Sequence, residues 1–321
     1  MHTIVELLIM KYFILIAAIF FIGCGGEPNI TDADLDGNVL FDPSLYSPEL
    51  FLISKSKPNP TEEEKQKPVI IVAHGYTATT FEWNEFKRYV DSTQADVLVS
   101  QVLLGGHGRT YQDFKNSSWR DWQASIIDEY QQLVQAGYRN ISFAGSSTGG
   151  PLIVNLFAQS FFKNSIEPKH VFLIDPIIVP SNKSLSMIGI FGPMLGYIES
   201  GEMTAEERKH WYKFRPQETL QELQDIITIT RKDLESGIRF PNSTNVSIYK
   251  SLYDDVVDRV SAVMLYNGIE TQSPEMKKIS LPHSGVHVIT RLEGRANVTE
   301  QDRILQKSVF DQMIQDLKST K

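Results

Sequence analysis

Cysteine is the scarcest residue: Cys24 is the only one among 321. No intrachain disulfide can form, and no thiolate zinc cluster can be assembled. Basic residues are also short, 31 Lys and Arg against 39 Asp and Glu, giving a formal net charge of −8. A surface of that sign repels polyphosphates, so nucleic acid is not an expected partner. No apolar run approaches the about 20 residues that a bilayer-crossing helix needs. What is present is ordinary: 41% hydrophobic and 22% charged residues exclude collagen-like and disordered chains and leave one large domain or two smaller ones.

The N-terminal stretch has the parts of an export signal. Met10-Lys11 precedes an apolar run from Tyr12 to Ile22, followed by Gly23-Cys24. Phe21-Ile22-Gly23-Cys24 resembles a bacterial lipobox, which implies residues 1–23 as a signal peptide, Met10 as its start, and Cys24 as the lipidated first residue of an exported, membrane-anchored lipoprotein. Residues 24–67 turn polar and proline-bearing, the composition of a tether with an edge element. Asp32-Ala33-Asp34-Leu35-Asp36-Gly37 begins like a calcium loop, but Pro43 stands where a bidentate Glu is required. No metal is expected.

From Pro68 short apolar runs alternate with amphipathic stretches. Val69 to Ala73, Val97 to Leu104, Ile141 to Ala144 and Val171 to Ile174 have the continuous β-branched character of buried parallel strands. Trp119 to Ala136 is predicted helical, opened by a Ser118/Asp121 capping box and closed by Gly137. Thr299 to Lys318 is a predicted closing helix with Ile304, Leu305, Val309, Met313 and Leu317 on one face. The alternation predicts an α/β fold, a mostly parallel sheet flanked by helices over residues 68–321. The stretch from about 181 to 245 breaks it, with an apolar, glycine-bearing start and a charged helix-like run from Thr204 to Ser236. That is the pattern of an inserted cap.

Gly145-Ser146-Ser147-Thr148-Gly149-Gly150 lies between a predicted strand and a helix-like segment from Leu152. This is G-x-S-x-G in the strand-turn-helix setting that presents a serine hydroxyl at the carboxyl edge of a sheet. A serine needs an imidazole to take its proton and a carboxylate to orient that imidazole. Asp254, Asp255 and Asp258 follow a predicted strand, and His283 and His287 come later, so the order Ser, Asp, His is available. His74 and His107 sit in glycine-bearing turns without further ligands at metal spacing, which favours structural roles.

His74-Gly75-Tyr76, Gly106-His107-Gly108, the Ser147 elbow, Asp254-x-Val-Val and Ser284-Gly-x-His287-Val-Ile-Thr together resemble the serine α/β-hydrolases, and within them small bacterial carboxylesterases and monoacylglycerol lipases. The resemblance implies a cofactor-free ester hydrolase working through an acyl-enzyme, with Ser147, Asp254 and His287 as the triad and the backbone N–H groups of Tyr76 and Thr148 as the oxyanion hole. The histidine block carries one residue more than the Ser-x-His of relatives, so either the loop bulges or His283 substitutes. Cap residues Met187, Ile190, Phe191, Met194, Leu195 and Tyr197 are expected to line an acyl pocket for an ester or lipid substrate. Alternatives on the same fold are a serine amidase, peptidase or acyltransferase, or a non-catalytic binding lipoprotein.

Overall fold

The computed structural model describes Leu35 and residues 43–181 and 196–319. Among the described residues, six strands form one parallel sheet: β1 (Val69–Ala73), β2 (Leu98–Val102), β3 (Ile141–Ser146), β4 (His170–Ile174), β8 (Asn245–Tyr249) and β10 (Lys277–Ser280), in the order β10-β8-β4-β3-β1-β2. Two small pairings complete the strands: β5 (Tyr197–Glu199) with β6 (Phe214–Pro216), antiparallel, and β7 (Ile238–Arg239) with β9 (Ile269–Glu270), parallel. All of β1 and β3 is buried, which is why β1 reads as an unbroken apolar run rather than an alternating one.

Successive side chains in a strand point to opposite faces, and the core divides accordingly. Val69, Ile71, Ala73, Phe143, Leu173 and Ile248 belong to one buried cluster. The helices on that side are α2 (Trp119–Ala136), α3 (Gly149–Ala158), α5 (Gln217–Ser236) and α6 (Val260–Gly268). Ile70, Val72, Ala144, Phe172 and Ile174 belong to the opposite cluster, with Phe86 and Val90 of α1 (Asn84–Ser92) and five apolar residues of α7 (Glu300–Ser319).

The predicted capping of α2 is present: Asp121 N donates to Ser118 Oγ at 3.3 Å, Ser118 N donates to Asp121 Oδ2 at 2.7 Å, and Gly137 sits at φ +102°. On α7 the buried face is Val309, Phe310, Met313, Ile314 and Leu317, whereas Ile304 is exposed. One residue turns a helix by about 100°, and that step from Leu305 carries Ile304 off the core face.

Within the stretch 24–67, residues 43–67 form an element at the β2 edge of the sheet. Short helices Pro48–Phe51 and Ile53–Ser56 pack beside β2, the second also against α2, and a third, Glu62–Gln66, precedes β1. Glu129 of α2 fastens the second, accepting from Ser54 N at 3.1 Å and from Ser100 Oγ of β2 at 2.6 Å. Cys24, the signal segment and most of the aspartate-rich loop lie outside the described residues.

The described part of the insertion is the β5/β6 hairpin, the short helix α4 (Glu207–His210) within it, and α5. The charged run from Thr204 is therefore not one helix. Pro216 ends the extended β6 and begins α5, because the residue before a proline is driven out of the helical region.

Candidate active site

Parallel strands put their carboxyl ends at one edge, so segments distant in sequence meet there. Ser147 follows β3 and takes φ +48°, a left-handed conformation that is strained for a residue with a Cβ. The turn holds it by its own backbone: Ser147 N donates to Ile174 O at 2.9 Å, and its carbonyl accepts from Ile177 N at 3.1 Å. Gly149 has to be glycine, since a Cβ there falls 2.5 Å from Ala73 O.

His287 Nδ1 and Asp254 Oδ2 are 2.9 Å apart. Ser147 and His287 line one cleft of about 720 Å³, shared with Tyr76, Thr148 and the cap. Ser147 Oγ and His287 Nε2 make no hydrogen bond among the described residues, so the serine–imidazole contact is open; such contacts often close only around substrate. His283 is exposed and stands edge-on to Tyr253 at 6.1 Å, on a different depression. Asp255 lies at the cleft rim, exposed, and Asp258 Oδ1 caps Val260 N at 2.8 Å.

The additional residue of the histidine loop is absorbed by a local turn. Ser284 Oγ accepts from Val286 N at 3.0 Å and donates to Asp302 Oδ1 at 2.6 Å, and Ser284 O accepts from Tyr253 N at 3.0 Å. Val288, next to the histidine, sits at φ +61°, an outlier for a β-branched residue.

Asp175 was not singled out by sequence, and it ties these loops together. Its Oδ1 accepts from Ser251 N at 2.6 Å and its Oδ2 from Val288 N at 2.9 Å, linking the β4, β8 and histidine-loop ends. Between Asp175 and Asp254 lies Lys250, wholly buried, with Nζ 3.1 Å from Asp175 Oδ1 and 2.7 Å from Asp254 Oδ2. Burial works to raise the Asp254 pKa, but hydrogen bonding and charge from His287 and Lys250 outweigh it and hold the carboxyl well below the usual carboxylate range. The one signal for Asp175 is its position directly after a buried strand, and for Lys250 a charge at the end of an apolar run.

Tyr76 and Thr148 both line this cleft, and their backbone N–H groups donate to nothing among the described residues. Gly75 N donates to Glu82 Oε1 at 2.8 Å, and Ser146 Oγ bonds the same carboxylate oxygen, so a buried acid braces the two turns that carry those amides. His74 donates from Nδ1 to Gly75 O at 2.9 Å and accepts on Nε2 from Leu104 N at 3.1 Å, while burial pushes its pKa down to about 4. His107 bonds Gly105 O at 3.1 Å and packs edge-on to Phe114 and Trp122. Asp175, Asp254 and His287 could present three ligand atoms to a cation, yet each atom is already engaged within the network.

Of the expected pocket residues, Tyr197 packs edge-on against Phe214 at 5.0 Å instead of lining the cleft, and its neighbour Ile198 lines it because successive strand residues face opposite ways. Met187, Ile190, Phe191, Met194 and Leu195 lie outside the described residues. The cap also contributes Trp211, Tyr212 and Arg215, which sequence patterning gave no reason to select.

A parallel sheet with a serine elbow at its carboxyl edge is the α/β-hydrolase fold, and the chain resembles the serine hydrolases of that class, carboxylesterases and monoacylglycerol lipases among them. No family model matches the sequence. It is 25% identical over 249 residues to a carboxylesterase of Bacillus subtilis (strain 168), covering 76% of this chain and 94% of that one. It is 24% identical over 221 residues to a thermostable monoacylglycerol lipase of Bacillus sp. (strain H-257), covering 69% and 83%. In structure it matches a monoglyceride lipase of Saccharomyces cerevisiae with a TM-score of 0.62 at 14% identity, over 82% of this chain and 89% of that one.

Proposed function

We propose that this hydrolase cleaves carboxylic esters through an acyl-enzyme on Ser147. The observation that carries the reading is the 2.9 Å pair of His287 and Asp254 opening on the same cleft as a serine in the strained elbow turn. Ser147 Oγ attacks the ester carbonyl carbon as His287 Nε2 takes the hydroxyl proton, and the Tyr76 and Thr148 amides receive the charge that develops on the carbonyl oxygen. The alkoxide leaves with the proton from His287. Water then gives a proton to the same nitrogen, attacks the acyl carbon, and releases the acid and the free serine.

Hydrolysis of a p-nitrophenyl ester series tests this, with Ser147→Ala expected to lose about 10⁴-fold or more in kcat/KM. Equal turnover by the variant removes the mechanism, and faster cleavage of matched amides than of esters moves the assignment to an amidase. We further propose that the protein is held at a membrane through a lipid on Cys24, supported by the lipobox-like residues before it. Cys24→Ala then releases it to the soluble fraction, and unchanged fractionation overturns the anchor.

A further inference from the structure

Among the described residues three arginines line the cleft beside Ser147, and the guanidinium groups of two of them are held by partners within the chain. Arg291 Nη1 lies 2.9 Å from Glu207 Oε1, with its guanidinium 4.3 Å over the Trp211 ring. Arg295 donates to the carbonyls of Arg291, at 2.8 Å, and of His287.

Arg215 is different. It sits in β6 between the buried Phe214 and Pro216, paired with Ile198 across the hairpin, and its side chain joins the cleft lining. Among the described residues its guanidinium has neither a hydrogen bond nor an ion pair, and its Nε is buried without an acceptor. The acids close by in sequence are committed elsewhere. Glu218 pairs with Lys115 at 3.5 Å, and Glu222 accepts from Trp119 N at 3.1 Å. The deep acids of the cleft are engaged as well, Glu207 by Arg291 and Glu82 by Gly75 and Ser146. Glu202 and Asp255 are on the exposed rim, where water screens them.

A guanidinium does not shed its proton at any physiological pH, so a half-buried one with its Nε shut off from water and acceptors is left incompletely paired unless an anion completes it. Its planar fork matches a carboxylate or a phosphate. Apolar neighbours Ile177, Ile198, Met203, Leu220 and Leu223 share the lining and suit a short hydrocarbon spacer. We infer that the ester turned over at Ser147 carries an anionic group, carboxylate or phosphate, that docks on Arg215. This rests on the ester-hydrolase reading and narrows its substrate class.

The test is a ratio. kcat/KM for the p-nitrophenyl monoester of adipic acid is divided by that for its methyl-capped, neutral counterpart, and the value for a 1-acylglycerol 3-phosphate by that for the matching 1-acylglycerol. Wild-type protein is expected to favour the anionic member of at least one pair by about 10-fold or more, with the favoured pair identifying the group. Arg215→Met lowers that ratio by about 10- to 100-fold, Arg215→Lys falls between, and high salt erodes the wild-type preference. Ratios at or below one in both pairs overturn the inference while leaving the esterase reading standing. A wild-type ratio that survives in Arg215→Met overturns it too. No turnover of any ester overturns both.

Discussion

At the scale of single residues, the acid-base pair is governed by a side chain that touches neither serine nor substrate. Asp254 Oδ2 accepts from both His287 Nδ1 and Lys250 Nζ, and Lys250 also reaches Asp175. The lysine cancels one of two neighbouring carboxylates, so the imidazolium formed during the reaction meets one uncompensated negative charge rather than two. Removing a partner from a buried ion network leaves an unanswered charge and costs roughly 3–5 kcal/mol. Lys250→Met is therefore expected to lose stability on that order, read from urea unfolding midpoints, and to lose turnover as Asp254 shifts. Wild-type stability in the variant would mean that the two carboxylates do not depend on the lysine. Sequence order made Ser147, Asp254 and His287 available, because G-x-S-x-G and the blocks after two strands are local signals. Asp175, Lys250 and Glu82 escaped because their roles arise only when strand ends from separate segments converge.

At the scale of elements, legibility followed burial and capping. β1 occupies Val69–Ala73 as its apolar run dictates, and α2 occupies Trp119–Ala136 because both ends carry their own stop signals. The cap was legible as an interruption but not in its internal form, since the hairpin forms from residues that pair across the insertion. The elbow itself joins β3, α3 and β1 at van der Waals distance, and Gly149→Ala puts a methyl group into the β1 backbone. Such overpacking costs about 1–3 kcal/mol or more when backbone has to move. The expected outcome is a lower thermal midpoint together with a turnover loss larger than the fall in folded fraction explains. A variant with wild-type midpoint and rate would show that α3 can slide away from β1 freely.

For the whole molecule, acid is the expected point of failure. His74 and His170 are buried neutral, each pushed down to about 4 chiefly by desolvation. The unfolded chain binds their protons near pH 6.5 while the folded one refuses them, so stability falls as pH drops from about 6.5 toward 4, by on the order of 3 kcal/mol for a fully buried ring such as His74. Asp254 adds a second loss at lower pH. Its folded pKa is depressed, so its contribution is complete above the unfolded value near 4 and disappears as pH falls through the folded one. Urea midpoints across pH 7 to 3 should decline in these two stages, and a flat profile between 6.5 and 4.5 would contradict the histidine part.

The segment Ile174 to Ile177 holds the serine by its main chain, through Ile174 O and Ile177 N, and holds the acid and histidine loops through the Asp175 carboxylate, which receives Ser251 N and Val288 N. Amide protons at Ser147, Ile177, Ser251 and Val288 thus share a single latch. In deuterium exchange, Asp175→Asn should speed exchange at Ser251 and Val288, bonded to the carboxylate, while Ser147, bonded to a carbonyl of β4, keeps its protection.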